Sequence, residues 1–126
     1  MKILFIDDND WMRELYVRKL EKGGYEVISA CSAQQALDRL DELNVDLIIL
    51  DIIMPENNGL SIVYERPSYK DMREVSLFLL SSLSRRELAI SDELWEQLGI
   101  SGYYHKPDTK PADLLHIVDD FFGKGK

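Results

Sequence analysis

Five short, nearly continuous apolar runs, separated by stretches long enough for a helix, restrict this chain more than any other feature. They are KILFI (2–6), YEVISA (25–30), DLIIL (46–50), SLFLLS (76–81) and GYYH (102–105). A strand with one wet face alternates apolar and polar residues, whereas one that is apolar at successive positions must be covered on both faces. The intervening segments carry helical signals. Met12, Leu15, Tyr16, Lys19 and Leu20 follow a 3,4 spacing that stops near Gly23-Gly24. Ser32-Ala33-Gln34-Gln35 reads as a capping box opening a helix through Leu43, and Ser84-Arg85-Arg86-Glu87 as another, ahead of a segment reaching Gln97 or Leu98. A last helix is expected from around Lys110-Pro111, carrying Leu114, Leu115, Ile117, Val118, Phe121 and Phe122. The pattern predicts an α/β fold: a doubly wound five-stranded parallel sheet with helices on both faces, as a single domain over residues 1–126.

Composition removes several function classes. With 126 residues and a formal net charge of −8, the chain lacks the basic face that supplies most nucleic-acid affinity. No direct nucleic-acid partner is therefore expected. Cys31 is the only cysteine, so neither an internal disulfide nor a thiolate metal site can form. No apolar run approaches the roughly 20 residues of a membrane span, and MKILFIDDND is too acidic for a signal peptide. These points lead to the expectation of a cytoplasmic protein that makes no membrane contact.

The segment LIILDIIMPENNG (47–59) carries the chemistry. An aspartate embedded in an apolar run is costly unless something compensates its charge. In a doubly wound sheet, ligands bind outside the carboxyl ends of the strands. Asp51 stands at the end of the third run, Asp7-Asp8 at the end of the first, Ser81 at the end of the fourth, and Lys106 just past the fifth. Unit charges 4 Å apart interact by about 4 kcal/mol at an effective dielectric of 20, so clustered carboxylates call for a cation. A hard divalent ion such as Mg2+, which keeps waters and accepts phosphate oxygens, suits an open site of this kind. Asp51 is then the candidate nucleophile for a phosphoryl group, with Lys106 and Ser81 as donors to its oxygens.

In order and spacing, IDDND (6–10), LDIIMPENNG (50–59), LLSS (79–82) and YYHKP (103–107) resemble the signature set of bacterial two-component response-regulator receiver domains of the chemotaxis-regulator type. The resemblance covers essentially the whole chain. It implies a flavodoxin-like strand order 2-1-3-4-5, with Asp51 as phospho-acceptor and Asp8 as a direct Mg2+ ligand. It further implies Asp7 as a second acid of the pocket, often acting through water, and the backbone carbonyl of Ile53 as another ligand. Ser81 and Lys106 would contact the phosphoryl group, Ser81 and Tyr103 would form the conformational switch, and Lys106-Pro107 is a candidate cis bond. Ile53 and Leu83, two residues after the acceptor and the switch hydroxyl, border the path of the attacking water and are expected to set the lifetime of the phosphorylated form.

The expected function is therefore that of a receiver which takes a phosphoryl group from a sensor histidine kinase or histidine phosphotransfer protein. It is not a general enzyme, since it catalyses only its own phosphorylation and dephosphorylation. Its signal would leave through the face made by the fourth helix, the fifth strand and the fifth helix, to a downstream protein or a second copy, and no output domain is expected within the chain. Two alternatives are a pseudo-receiver used only for interaction and a Mg2+-dependent aspartyl phosphatase. The first has no need of Lys106 and Ser81; the second resembles Asp-x-Asp at the nucleophile, where this chain has Ile53. Pro67, about three extra residues between Ser81 and Lys106, and Asp108 in place of a common aromatic all depart from the family pattern.

Overall fold

A computed structural model of the chain describes residues 1–32, 35–36, 45–51, 75–82, 91–97 and 99–123. Strands β1 (Lys2–Ile6), β2 (Glu26–Ala30), β3 (Leu47–Asp51), β4 (Ser76–Ser81) and β5 (Ile100–His105) form one sheet in the order β2-β1-β3-β4-β5. All the pairings are parallel. Parallel neighbours require crossovers, and the order reverses beside β1, which places a crevice at the carboxyl ends of β1 and β3.

The three central strands, β1, β3 and β4, are buried on both faces. Ile3, Phe5, Leu47, Ile49, Phe78 and Leu80 line one face and pack with Tyr16 and Leu20 of helix α1 (Asp10–Lys22) and with Leu114 and Val118 of helix α3 (Pro111–Phe122). Leu4, Ile6, Ile48, Leu50, Leu77 and Leu79 alternate with them on the other face and are also buried. Helix α2 (Asp92–Gln97) leads into β5. Among the described residues no helix is long and apolar enough to cross a membrane.

Local chemistry sets the helix ends. The Asn9 side chain accepts the Met12 N–H at 3.0 Å and caps α1, which ends at Gly23 with Gly24 at φ +97°. The Lys110 N–H is taken by Asp113 at 2.9 Å, with Pro111 at the first helical position of α3. At Ser32 the expected capping box is seen in modified form. Ser32 Oγ accepts the Gln35 N–H at 3.0 Å, but Gln35 reaches back one residue further, to the Cys31 N–H. The capping box at Ser84 and the Pro67 segment lie outside the described residues.

The strand boundaries refine the sequence reading. Asp51 is the last residue of β3 and does not lie beyond it, and β5 starts at Ile100, two residues earlier than the run suggests. A register irregularity separates Leu77↔Ile100 from Phe78↔Gly102, and the small residues of that stretch hide the strand pattern. At Gly102 a Cβ would sit 2.7 Å from the Tyr104 hydroxyl folded back over it, so a side chain there would displace the Tyr104 ring.

Candidate functional site: an acidic pocket closed by a lysine

The carboxyl ends of β1 and β3 bring three acids together. Asp7 is fully buried, Asp51 is 5% exposed and Asp8 faces solvent. Their carboxylate oxygens lie within 4.8 Å of one another. Lys106, just past β5, closes the pocket: its Nζ donates to Asp7 Oδ2 at 2.9 Å and to Asp51 Oδ2 at 2.8 Å. Burial pushes the Lys106 pKa down, but its hydrogen bonds to Asp51 and Asp7, with their charges, outweigh burial and hold it above the ordinary lysine value.

Each group is held by its surroundings. The Asp7 N–H extends the β1–β2 ladder to the Ala30 carbonyl at 3.1 Å, while Asp7 Oδ1 accepts the Asn9 N–H at 2.9 Å. Arg13 Nη1 donates to the Asp7 carbonyl at 2.7 Å and Nη2 to Asp10 at 2.5 Å, tying α1 to the loop that carries the acids. Tyr16 spans α1 to the Lys106 turn, with its hydroxyl donating to the Thr109 carbonyl at 2.6 Å. Thr109 Oγ1 in turn donates to the His105 carbonyl at 2.8 Å. Burial, first among its causes, raises the Tyr16 pKa.

Ser81 is fully buried at the end of β4, opposite His105, and Tyr103 lies opposite Leu79. Strand alternation therefore puts Ser81 and Tyr103 on the same face of the sheet. Tyr104 takes the other face, where its ring meets Phe78 edge-on with centroids 5.3 Å apart. The structure thus brings Asp7, Asp8, Asp51 and Lys106 into one cluster and leaves Ser81 and Tyr103 on the adjoining strands. Ile53 and Leu83 lie outside the described residues. The Lys106-Pro107 bond is trans, contrary to the cis expectation: Lys106–Asp108 forms a 3-10 turn, and trans is the ordinary state of an X–Pro bond.

The donor set fits a hard cation. Carboxylate oxygens of Asp7, Asp8 and Asp51 gathered within 4.8 Å of one another offer the all-oxygen donors that a hard cation such as Mg2+ takes. Three carboxylates facing one ammonium leave two negative charges, which a divalent ion offsets.

A family model for the response regulator receiver domain matches residues 3–119. The chain belongs to this receiver family. It is 34% identical over 106 residues to the transcriptional regulatory protein CpxR of Escherichia coli K12, covering 84% of this chain and 43% of that protein. The receiver thus spans less than half the length of that relative. Among solved structures, the chemotaxis response regulator CheY4 of Vibrio cholerae superposes with a TM-score of 0.82 at 25% identity, covering 94% of this chain and 96% of CheY4. The response regulator TrrA of Thermotoga maritima, solved in complex with Mg2+ and BeF, gives a TM-score of 0.76 at 28% identity, covering 94% of this chain and 96% of that one.

Sequence reasoning missed Arg13, Tyr16 and Thr109 as supports of the site. Arg13 stands six residues after Asp7 in the first turns of α1, a spacing that could have indicated it. No local signal links Tyr16 to Thr109 across 93 positions.

Proposed function

We propose that this receiver takes a phosphoryl group from a phosphohistidine partner, a sensor histidine kinase or a phosphotransfer protein, onto Asp51. The observation that carries the reading is the contact of Lys106 with Asp7 and Asp51 inside a three-carboxylate cluster. An interaction module without phosphorylation has no use for buried like charges, and the Mg2+–BeF complex of the related TrrA favours a similar ligand here. Asp7, Asp8, Asp51 and the Ile53 carbonyl would hold Mg2+, which supplies charge neutralisation for the incoming phosphoryl oxygens.

The chain's own residues do the rest. One Asp51 oxygen attacks phosphorus, the P–N bond to the donor histidine breaks, and the electron pair leaves with the imidazole, giving an acyl phosphate. Lys106 turns its ammonium from the Asp51 carboxylate to a phosphoryl oxygen, a charge-assisted bond that offsets the contact it gives up. The Ser81 hydroxyl donates to another oxygen and draws the loop after β4 toward the site. Tyr103 then moves inward on the face it shares with Ser81, reshaping the surface formed by α2, β5 and α3, where a downstream protein or a second copy binds.

Amide hydrogen exchange with and without Mg2+ and beryllofluoride tests this route. The expected result is added protection over 7–10 and 51–59, together with changed exchange over 82–98 and 101–110. Protection confined to the first two segments would remove the Ser81 to Tyr103 coupling, and no change anywhere would remove the acceptor site.

A further inference from the structure

His105 ends β5 and has no part in the phosphoryl chemistry above, yet its ring is held at both nitrogens. Nδ1 is 2.7 Å from Asp108 Oδ2, and Nε2 is 3.2 Å from the Ser82 carbonyl oxygen. Both partners are acceptors. A neutral imidazole has a single N–H and can satisfy one of them, whereas imidazolium donates to both. When the ring is neutral, the shorter bond to the carboxylate keeps the proton on Nδ1. The Nε2 lone pair then faces the carbonyl lone pairs across a gap that suits a hydrogen bond, and the contact with Ser82 is lost.

The two partners occupy informative places. Ser82 directly follows Ser81 at the end of β4, and Asp108 lies in the Lys106–Asp108 turn. His105 itself is the register partner of Ser81 and precedes Lys106. Its backbone is fixed by the Thr109 hydroxyl, whose own carbonyl is held by Tyr16. Asp108 on the turn and the Ser82 carbonyl from β4 face the ring, and the neighbouring Lys106 ammonium is turned toward Asp7 and Asp51. Asp108, where the family commonly has an aromatic residue, gains a role as the anchor of this contact.

We infer that His105 is a positioning residue. As imidazolium it straps the end of β4 to the turn that carries Lys106, so that Ser81 and Lys106 are presented to a phosphoryl group as one unit, and in the neutral state the strap opens at Ser82. This inference rests on the phospho-acceptor reading of the site and adds an acid-dependent step to it. Receiver activation in this chain is therefore favoured when acidification charges the ring.

The test compares beryllofluoride affinity at pH 6 and pH 8, with saturating Mg2+, in the parent and in His105→Gln, Asp108→Asn and His116→Gln. Comparing ratios cancels the pH dependence of the reagent itself. One hydrogen bond made or lost corresponds to about a threefold change or more, so the parent's ratio of affinities should exceed that of His105→Gln by about that factor. Asp108→Asn, at a largely exposed position, should also lower the ratio, and His116→Gln, on the outer side of α3, should keep it. In parallel, the NMR shift of the Ser82 carbonyl carbon should follow ring charging in the parent and in His116→Gln. A residue that only supported the fold would move neither the pH ratio nor that shift. Equal ratios in the parent and His105→Gln, or a Ser82 carbonyl insensitive to ring charging, overturn the strap alone. No beryllofluoride binding by the parent at either pH overturns the acceptor reading and the strap with it.

Discussion

Replacing Lys106 with methionine keeps the apolar stem and removes the ammonium that touches both Asp7 and Asp51. Asp7 has no exposure and the Asp51 side chain 6%, so their charges lose their partner with little water to replace it. Breaking a buried pair from one side typically costs about 3–5 kcal/mol. One escape limits the loss, since protonating a carboxylate of ordinary pKa near 3.9 costs about 4 kcal/mol at pH 7 and about 1.5 kcal/mol at pH 5. The variant should therefore lose about 3–4 kcal/mol at pH 7 and roughly half that or less at pH 5. For 126 residues the unfolding entropy is about 0.26 kcal/mol/K, so the melting temperature should drop by at least roughly 11 °C at pH 7. Mg2+ should restore part of it, because it binds only the assembled pocket. The parent shows the same sign in a different pH window. There the raised Lys106 pKa contributes stability that is complete below the ordinary lysine value of 10.5 and fades as pH climbs through the folded-state value. Calorimetric melts from pH 5 to 8, with and without Mg2+, decide the matter. A loss that is the same at pH 5 as at pH 7, or that Mg2+ leaves untouched, would refute the argument that uncompensated buried carboxylates cause it.

Asp8→Asn should weaken Mg2+ binding at least several-fold by titration calorimetry while leaving the fold intact, since Asp8 is exposed and contributes charge more than packing. Unchanged affinity would take Asp8 out of the metal site. Tyr16→Phe should cost about 1 kcal/mol in chemical denaturation by leaving the Thr109 carbonyl without its donor; a neutral result would show that the carbonyl finds another. An Ile53→Asn, Leu83→Glu double variant should lose its phosphoryl group faster than the parent, because polar side chains can orient an attacking water and apolar ones cannot. Equal decay rates would show that these side chains do not set the lifetime.

Much of the fold was legible because its strongest signal is repeated. Continuous apolar runs forced double burial, and the position of Asp51 at the end of such a run located the crevice before any geometry was known. The acids and Lys106 could be assembled from strand ends alone, since a parallel sheet points all of them to one edge. Less legible were contacts whose partners are backbone atoms. The Arg13 bond to the Asp7 carbonyl and the Tyr16 bond to the Thr109 carbonyl leave no trace in residue type at the accepting position. The start of β5 was hidden by the irregularity at Ser101-Gly102, where strand propensity is low and register decides. His105 and Asp108 are only three positions apart, but their pairing gains meaning only once Ser82 is seen on the ring's other side.

The central claim is that Asp51 accepts the phosphoryl group. Incubating the chain with acetyl phosphate and Mg2+, followed by intact-mass and peptide mass spectrometry, tests it most directly. The account predicts a single labile phosphoryl adduct that maps to Asp51, requires Mg2+ and is absent from Asp51→Asn. A parent chain that remains unmodified, or an Asp51→Asn protein that gains an adduct in equal yield at Asp8 or Ser81, would contradict it.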